Sequence, residues 1–225
     1  MVRRVSPPDL RILHEDPALL FVDKPAGLVV QRRMFAPDEP CLHDLVLQHT
    51  SPAFLLHRLD RGTSGVIFFS KRADANPGLT RQFRRKLIRK TYLALCEGEL
   101  TEPRTIDAPI ARVGTITFGV REHGKPAVTH VNPLASSNVG SVVALVLETG
   151  RTHQIRVHLA GIGHPIVGDW LYGRPDAARP MLHAATVAMR HPLTAEPLCV
   201  AAPIPDDFLA EAEWRGLRGR LSPPA

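Results

Sequence analysis

Cysteine is scarce and scattered. Cys41, Cys96 and Cys199 are odd in number and far apart, which argues against a disulfide framework and against a zinc site of C-x-x-C type. They read as small hydrophobic residues in a reducing compartment. No run of 18 apolar residues occurs, so no membrane-spanning helix is expected, and the start "MVRRVSPPDL" lacks the apolar core of a signal peptide. Aromatic residues make up only 5% of the chain. Internal repeats, long linkers and low-complexity segments are missing as well. The expectation is a soluble cytoplasmic protein.

What is present is a chain of 225 residues, 44% hydrophobic and 22% charged, with 21 prolines and a formal net charge of +6. A chain of this length buries roughly 70–75% of its unfolded surface, enough for one large core. The prolines imply many turns rather than disorder. The positive balance favours an anionic partner such as RNA, DNA or a membrane surface, without choosing among them.

"ILHEDPALLFVDKPAGLVV" alternates short apolar runs with turn residues, the mark of short strands. "FLLHRLDRGTSGVIFFSK" has apolar runs on both sides of a polar segment, so Asp60 falls on a connection between two buried elements, where function concentrates. Asn76 is placed to cap a helix with Pro77 at its first position, and Leu79, Phe83 and Leu87 recur every four residues. The other face carries Arg81, Arg84, Arg85 and Lys86, either a solvated surface or one that meets RNA. "TYLALCEG" reads as a strand closed by Gly98, and "SSNVGS" as a hairpin turn between "AVTHVNPLA" and "VVALVLETG". Thr152 is placed to cap a short helix through Ile162, with Gly163 as its stop. The alternation of Ile155, Val157 and Leu159 also suits a strand, but the glycines at 161 and 163 favour helix. "LHAATVAMRHPLTAEPLCVAAPIP" reads as a terminal hairpin and "DDFLAEAEWRGL" as a last helix begun by an Asp cap. The whole is mixed α and β with mostly antiparallel pairing.

Four positions carry chemistry: Arg58 and Asp60 in "HRLD", Tyr92 in "KTYLAL" and Arg156 in "GRTHQIRVH". A carboxylate that attacks an electrophile must stay ionised while partly desolvated, and a neighbouring guanidinium favours the ionised form. Arg suits this better than Lys because its planar fork holds a carboxylate in one orientation. Each position has a plainer reading: a loop Asp in a surface ion pair, a core tyrosine, a helix-surface arginine. Lys24, Pro25 and Gly27 read as a turn near the cleft. Among the histidines, His153, His158, His164 and His183, with Asp169 nearby, invite a metal site. His153 and His158, however, lie about 140° apart round a helix and on opposite faces of a strand, so no local chelating pair arises and no metal is expected.

"HRLDRGTSG", the "SK" at Ser70 and Lys71, "KTYLALCEG", "GKPAVTH", "LETGRTHQIRVHLAGIGHPIVGDWLYG" and "LHA" occur in this order over roughly residues 12 to 208. Together they resemble the RluA-type pseudouridine synthases. The resemblance implies an α+β pseudouridine synthase fold: a long mixed, mostly antiparallel sheet flanked by helices and loops, with a central catalytic cleft. It implies a single catalytic domain over residues 11–225 after a tail of residues 1–10, without an N-terminal S4-type domain. Residue by residue, Asp60 takes the place of the catalytic aspartate and Arg58 that of the side chain replacing a flipped nucleotide. Tyr92 would pack on the target uracil, and Arg156 would pair with the catalytic carboxylate. Arg61, Thr63, Arg84 and Arg85 are further candidates for RNA contact. The small residues from Gly62 to Gly65 would let the RNA backbone come close. The implied reaction isomerises uridine in structured ribosomal or transfer RNA, needs no cofactor, and requires neither a protein partner nor a second copy. A non-catalytic RNA-binding module and a glycosidic-bond hydrolase are the rival classes, and the hydrolase would need a second carboxylate.

Overall fold

A computed structural model of the chain describes residues 9–217 except 33, 35 and 37. Residues 1–8 of the expected tail lie outside the described residues.

Strands β1 (Ile12–Glu15) and β2 (Leu19–Lys24) form an antiparallel pair across the Asp-Pro turn. Asp16 closes that turn by accepting the backbone N–H groups of Ala18 and Leu19 at 2.7 and 2.8 Å. Helix α1 (Leu42–His49) and strands β3 (Phe54–Leu55) and β4 (Ser64–Ser70) follow, β4 with every residue buried. Such an uninterrupted apolar run marks a strand covered on both faces.

After a short 3-10 turn over Ala73–Ala75 comes α2 (Asn76–Arg84). Here Asn76 is the first helical residue and not the cap, because the preceding turn already supplies helical geometry. Strand β5 (Arg89–Glu97) ends at Gly98, whose φ of +74° suits glycine. Strands β6 (Arg104–Asp107), β7 (Ile110–Arg112) and β8 (Phe118–Val120) lead to the long hairpin of β9 (Val128–Ser137) and β10 (Gly140–Leu147), in the expected place.

Residues 154–161 are helix α3 (Gln154–Gly161), as the two glycines suggested. Its cap is His153 in the left-handed conformation (φ +57°), not Thr152. The terminal hairpin is β11 (Leu182–Arg190) with β12 (Pro197–Ala201), and α4 (Asp206–Trp214) is the last helix. Pro205 occupies the N-cap of α4, and Asp206 and Asp207 lie in the first turn, where negative charge suits the helix dipole.

Ten strands share one sheet, ordered β1-β2-β4-β11-β5-β10-β9-β6, with β12 paired to β11 and β3 to β4. All of its pairings are antiparallel except β4 with β11. Strands β7 and β8 form a separate ribbon. It packs on α3 through a small cluster of Ile110, Ala127 and Val157, flanked by Phe118 and Tyr172.

The parallel pair decides where the centre opens. Gly65 and Tyr92 both register against Ala184, so β4, β11 and β5 meet at one level. Gly65 has φ +110°, and a Cβ there would stand 2.1 Å from the Ala184 carbonyl oxygen. A Cβ on Gly62 would stand 2.9 Å from Pro180. Gly62 and Gly65 are therefore required for packing against Pro180 and β11, a role that sequence reading did not assign to them. Gly65→Ala is expected to cost about 4 kcal/mol or more, since no flexible atom can yield there. A urea titration followed by far-UV circular dichroism checks this, and a stable Gly65→Ala protein would contradict it.

Candidate active site

The loop 56–63 joins β3 to β4 and is held through its backbone carbonyls. Thr63 N–H donates to the Asp60 carbonyl at 3.1 Å, closing a turn immediately before β4. Lys24, fully buried at the end of β2, donates through Nζ to the carbonyls of Pro25, Leu28 and Arg61 at 2.9, 2.8 and 3.2 Å. Arg179 donates through Nη1 to the next carbonyl, Gly62 O, at 3.4 Å, while Asp207 of α4 holds its Nε and Nη2 at 2.6 and 2.7 Å. The Lys24 amino group and the Arg179 guanidinium thus grip consecutive carbonyls just beyond Asp60. Sequence reading took Lys24 as part of a turn and did not single out Arg179. A lysine directly after an apolar run was the available signal for the first.

Burial brings the Lys24 ammonium from 10.5 down to about 7, against the pull of the Asp60 charge. Between those values the unfolded chain holds a proton that the folded chain has released, so stability contributed here rises with pH. The stability advantage of wild type over Lys24→Met should therefore grow from about pH 7 towards pH 10, by up to about 1.4 kcal/mol per pH unit. Urea midpoints at several pH values test the sign, and a shrinking difference would refute it.

Asp60 lines a cleft of about 420 Å³ with Arg58, Thr63, Tyr92, His153 and Arg156, among others. That size lies within the roughly 300–1,000 Å³ usual for small-ligand sites. The Asp60 side chain is 30% exposed, and its Oδ2 lies 3.5 Å from Arg156 Nη1 and 3.9 Å from His153 Nε2. Arg156 differs from expectation in its principal partner. Its Nε and Nη2 make a two-pronged contact with Asp169 at 2.7 Å each, and only Nη1 is left for Asp60. Asp169 is fully buried and also accepts the backbone N–H groups of Leu171 and Tyr172 at 3.0 and 3.3 Å. A desolvated guanidinium needs a full countercharge, and the partly hydrated Asp60 supplies less of one.

Neither flanking arginine pairs with Asp60. Arg61 turns out of the cleft to Glu39. Arg58 is exposed on the cleft and makes no ion pair among the described residues. Thr63 is buried against the cleft. Arg84 and Arg85 are exposed but do not line it; from the same stretch Phe83, Lys86 and Lys90 do.

Tyr92 is nearly buried, and burial first, then the charge of Asp60, push its phenol well above 10. It is a neutral hydroxyl at physiological pH. Burial holds the His57 imidazole far below 6.5, also neutral, and lowers Lys90 to about 8. The Lys90 ammonium stands 4.9 Å from the Phe83 ring centroid.

No three His, Cys, Asp or Glu side chains converge in metal-holding geometry among the described residues. His158 instead bonds Thr129 Oγ1 and the Ala108 carbonyl, and His183 Nδ1 lies 3.0 Å from Ser64 Oγ. A second groove shares Gly150, Arg151 and Thr152 with the cleft and continues it past Arg112, His123 and Lys125. Sequence reading did not anticipate it, because its residues come from four separate stretches.

The family model described as RNA pseudouridylate synthase matches residues 18–161, which include Asp60, Tyr92 and Arg156. The chain belongs to this family. It is 38% identical over 219 residues to ribosomal large subunit pseudouridine synthase D of Nitrosomonas europaea, covering 89% of this chain and 64% of that one. An uncharacterized RNA pseudouridine synthase of Bacillus subtilis is 41% identical, over 89% of this chain and 70% of the relative. The chain thus spans about two thirds of the length of these relatives. Among solved structures, human RNA pseudouridylate synthase domain containing 1 is 30% identical with a TM-score of 0.73, covering 88% of this chain and 86% of that one. Human RNA pseudouridylate synthase domain containing 4 shares the fold, with a TM-score of 0.78 at 24% identity over 95% of each chain. The pseudouridine synthase fold expected from the motifs is therefore the observed one. No described helix is long and apolar enough to cross a membrane.

Proposed function

We propose that this chain isomerises uridine to pseudouridine in structured RNA, with Asp60 as the group that engages the flipped nucleotide. The observation that carries the reading is the convergence of one carboxylate, one buried guanidinium and one buried phenol in a cleft sized for a base. The reaction breaks the bond from ribose C1′ to N1, turns the uracil, joins C5 to C1′, and exchanges the C5 proton for one on N1. No electron or group is gained or lost overall, so no cofactor is required.

Each residue has a task suited to its surroundings. Base extrusion costs a few kcal/mol and needs a filler for the vacated stack, which the exposed Arg58 guanidinium supplies by stacking. Tyr92 offers the extruded uracil a flat wall and a hydroxyl that stays protonated. Arg156, anchored by Asp169, keeps a positive charge beside Asp60 without being consumed by it. Thr63 shapes the wall at the base of the loop, while Arg61, Arg84 and Arg85 contact RNA outside the cleft. Lys86, Lys90 and Arg151 face the cleft, and Arg112, His123 and Lys125 extend the basic track that phosphates would follow. The names of the curated relatives favour large-subunit ribosomal RNA as the substrate. We further propose that residues 11–225 act as one catalytic unit, monomeric, without an obligate protein partner, in the cytoplasm.

The deciding assay is tritium release from ribosomal RNA labelled at uracil C5, since forming the new bond expels that hydrogen to water. Label loss without free uracil is the expected result. Release of free uracil would make the chain a hydrolase, and tight binding without label loss would make it a binding module.

A further inference from the structure

His153 stands apart among the cleft residues because its backbone is left-handed, with φ +57°. A non-glycine residue held there is uncommon, and such strain persists where the surroundings require it. Three contacts show what the surroundings hold. His153 Nδ1 lies 2.8 Å from Tyr172 Oη, and Tyr172 Oη accepts the Phe118 backbone N–H at 3.0 Å. The Phe118 ring meets the imidazole edge-on with centroids 5.6 Å apart. On the opposite side of the ring, Nε2 faces Asp60 Oδ2 at 3.9 Å, within ion-pair range but beyond a hydrogen bond.

Two neighbours select the tautomer. With its oxygen occupied by Phe118 N–H, Tyr172 has its own proton to give, and Nδ1 is the acceptor within reach. A lone pair on Nε2 would face a carboxylate oxygen, whereas an Nε2–H is attracted to it. Both arguments place the ring proton on Nε2.

Arg156 Nη1 approaches the same oxygen, Oδ2, at 3.5 Å. Asp60 Oδ1 makes no hydrogen bond among the described residues. Resting on the isomerase reading of this cleft, we propose that His153 is a positioning residue. Fixed by Tyr172, its Nε2–H joins Arg156 in holding Oδ2 of Asp60, so that Oδ1 is the oxygen presented to the nucleotide.

The charged groups around the imidazole are Asp60 from the loop before β4, Arg156 on its own helix and Asp169 from the segment after α3. Burial, together with the Arg156 charge, outweighs the two carboxylates and keeps the ring below its ordinary 6.5, hence neutral at physiological pH. In that state its Nε2–H points a positive dipole end at Asp60 across 3.9 Å, while Nδ1 accepts the Tyr172 hydroxyl proton. The link also runs outward: Phe118 lies on β8, so the ribbon of β7 and β8 is hydrogen-bonded through Tyr172 to the residue that aims Asp60.

The test combines a spectroscopic and a kinetic readout on the full chain. In 15N-histidine-labelled protein, two-bond nitrogen–proton correlations report each ring's tautomer, and His153→Asn, which suits a left-handed backbone, assigns the signal. Wild type should show the Nε2–H form between about pH 6 and 8, and Tyr172→Phe should shift it toward a mixture that titrates at higher pH. In tritium release at saturating RNA, Tyr172→Phe should lose about tenfold and His153→Asn about a hundredfold in kcat, with the RNA Kd within about twofold. His153→Gln, whose amide nitrogen can reach the Nε2 position, should recover part of that loss.

An Nδ1–H tautomer in wild type would overturn the proposal. So would kcat values within twofold of wild type for both His153→Asn and Tyr172→Phe. A weaker Kd at unchanged kcat would make His153 an RNA contact instead. If wild-type chain releases no tritium, the isomerase reading fails; the tautomer measurement, made without RNA, still decides the geometry around Asp60.

Discussion

Asp60→Asn is expected to lower tritium release by at least about 10³-fold, the scale on which a site loses a charge placed for the transition state. The substitution keeps the shape and removes only the charge. Because Arg156 is anchored by two bonds to Asp169, it does not swing away when Asp60 becomes neutral. The loop is held through its backbone carbonyls, so it does not depend on the Asp60 side chain either. RNA affinity should stay within about threefold, and thermal stability should change little because the group is partly solvated. Filter binding and a thermal melt on the same preparation establish those controls. Turnover near the wild-type rate would show that Asp60 is not the reacting carboxylate.

The second large effect belongs to Asp169. Asp169→Ala leaves the Arg156 guanidinium buried without its countercharge, and removal of one partner of a buried pair costs about 3–5 kcal/mol. For a chain of this size that lowers Tm by about 10 °C. The loss of the acceptor for Leu171 and Tyr172 N–H adds to it. Activity should fall too, because among the described residues Asp60 is the carboxylate left beside an unanchored Arg156, which closes on it.

Replacing both partners separates the two consequences. Arg156→Met combined with Asp169→Leu removes both charges at similar volume, and such exchanges are often neutral in stability. The double variant should therefore melt closer to wild type than Asp169→Ala does, while its tritium release remains at the level of Arg156→Met alone. Circular dichroism melts and the label assay read the two quantities independently. A double variant as unstable as Asp169→Ala would show that Asp169 stabilises by accepting the Leu171 and Tyr172 N–H groups rather than through charge. One that regained activity would remove Arg156 from the site.

Much of this molecule is written locally in its chain. The apolar run of "TYLALCEG" closed by Gly98, the turn in "SSNVGS" and the glycines after residue 160 place strands and a helix where they are found, because these signals act over a few residues. Motif order also identifies the family and points to Asp60, Tyr92 and Arg156; for Asp60 the local signal is a polar loop between two apolar runs.

Pairings between distant segments are not legible in this way. Asp60 and Arg156 are 96 positions apart, and nothing local says that Asp169 claims the guanidinium first. The parallel match of β4 with β11 joins residues about 119 positions apart and assigns Gly65 to strand packing. Lys24 reaches the Asp60 loop across 37 positions, and Tyr172 reaches His153 across 19. Residue types and their local geometry were thus determined by the sequence alone. Which charge meets which was decided by tertiary packing, because burial strengthens whichever partner the fold brings within a few ångströms.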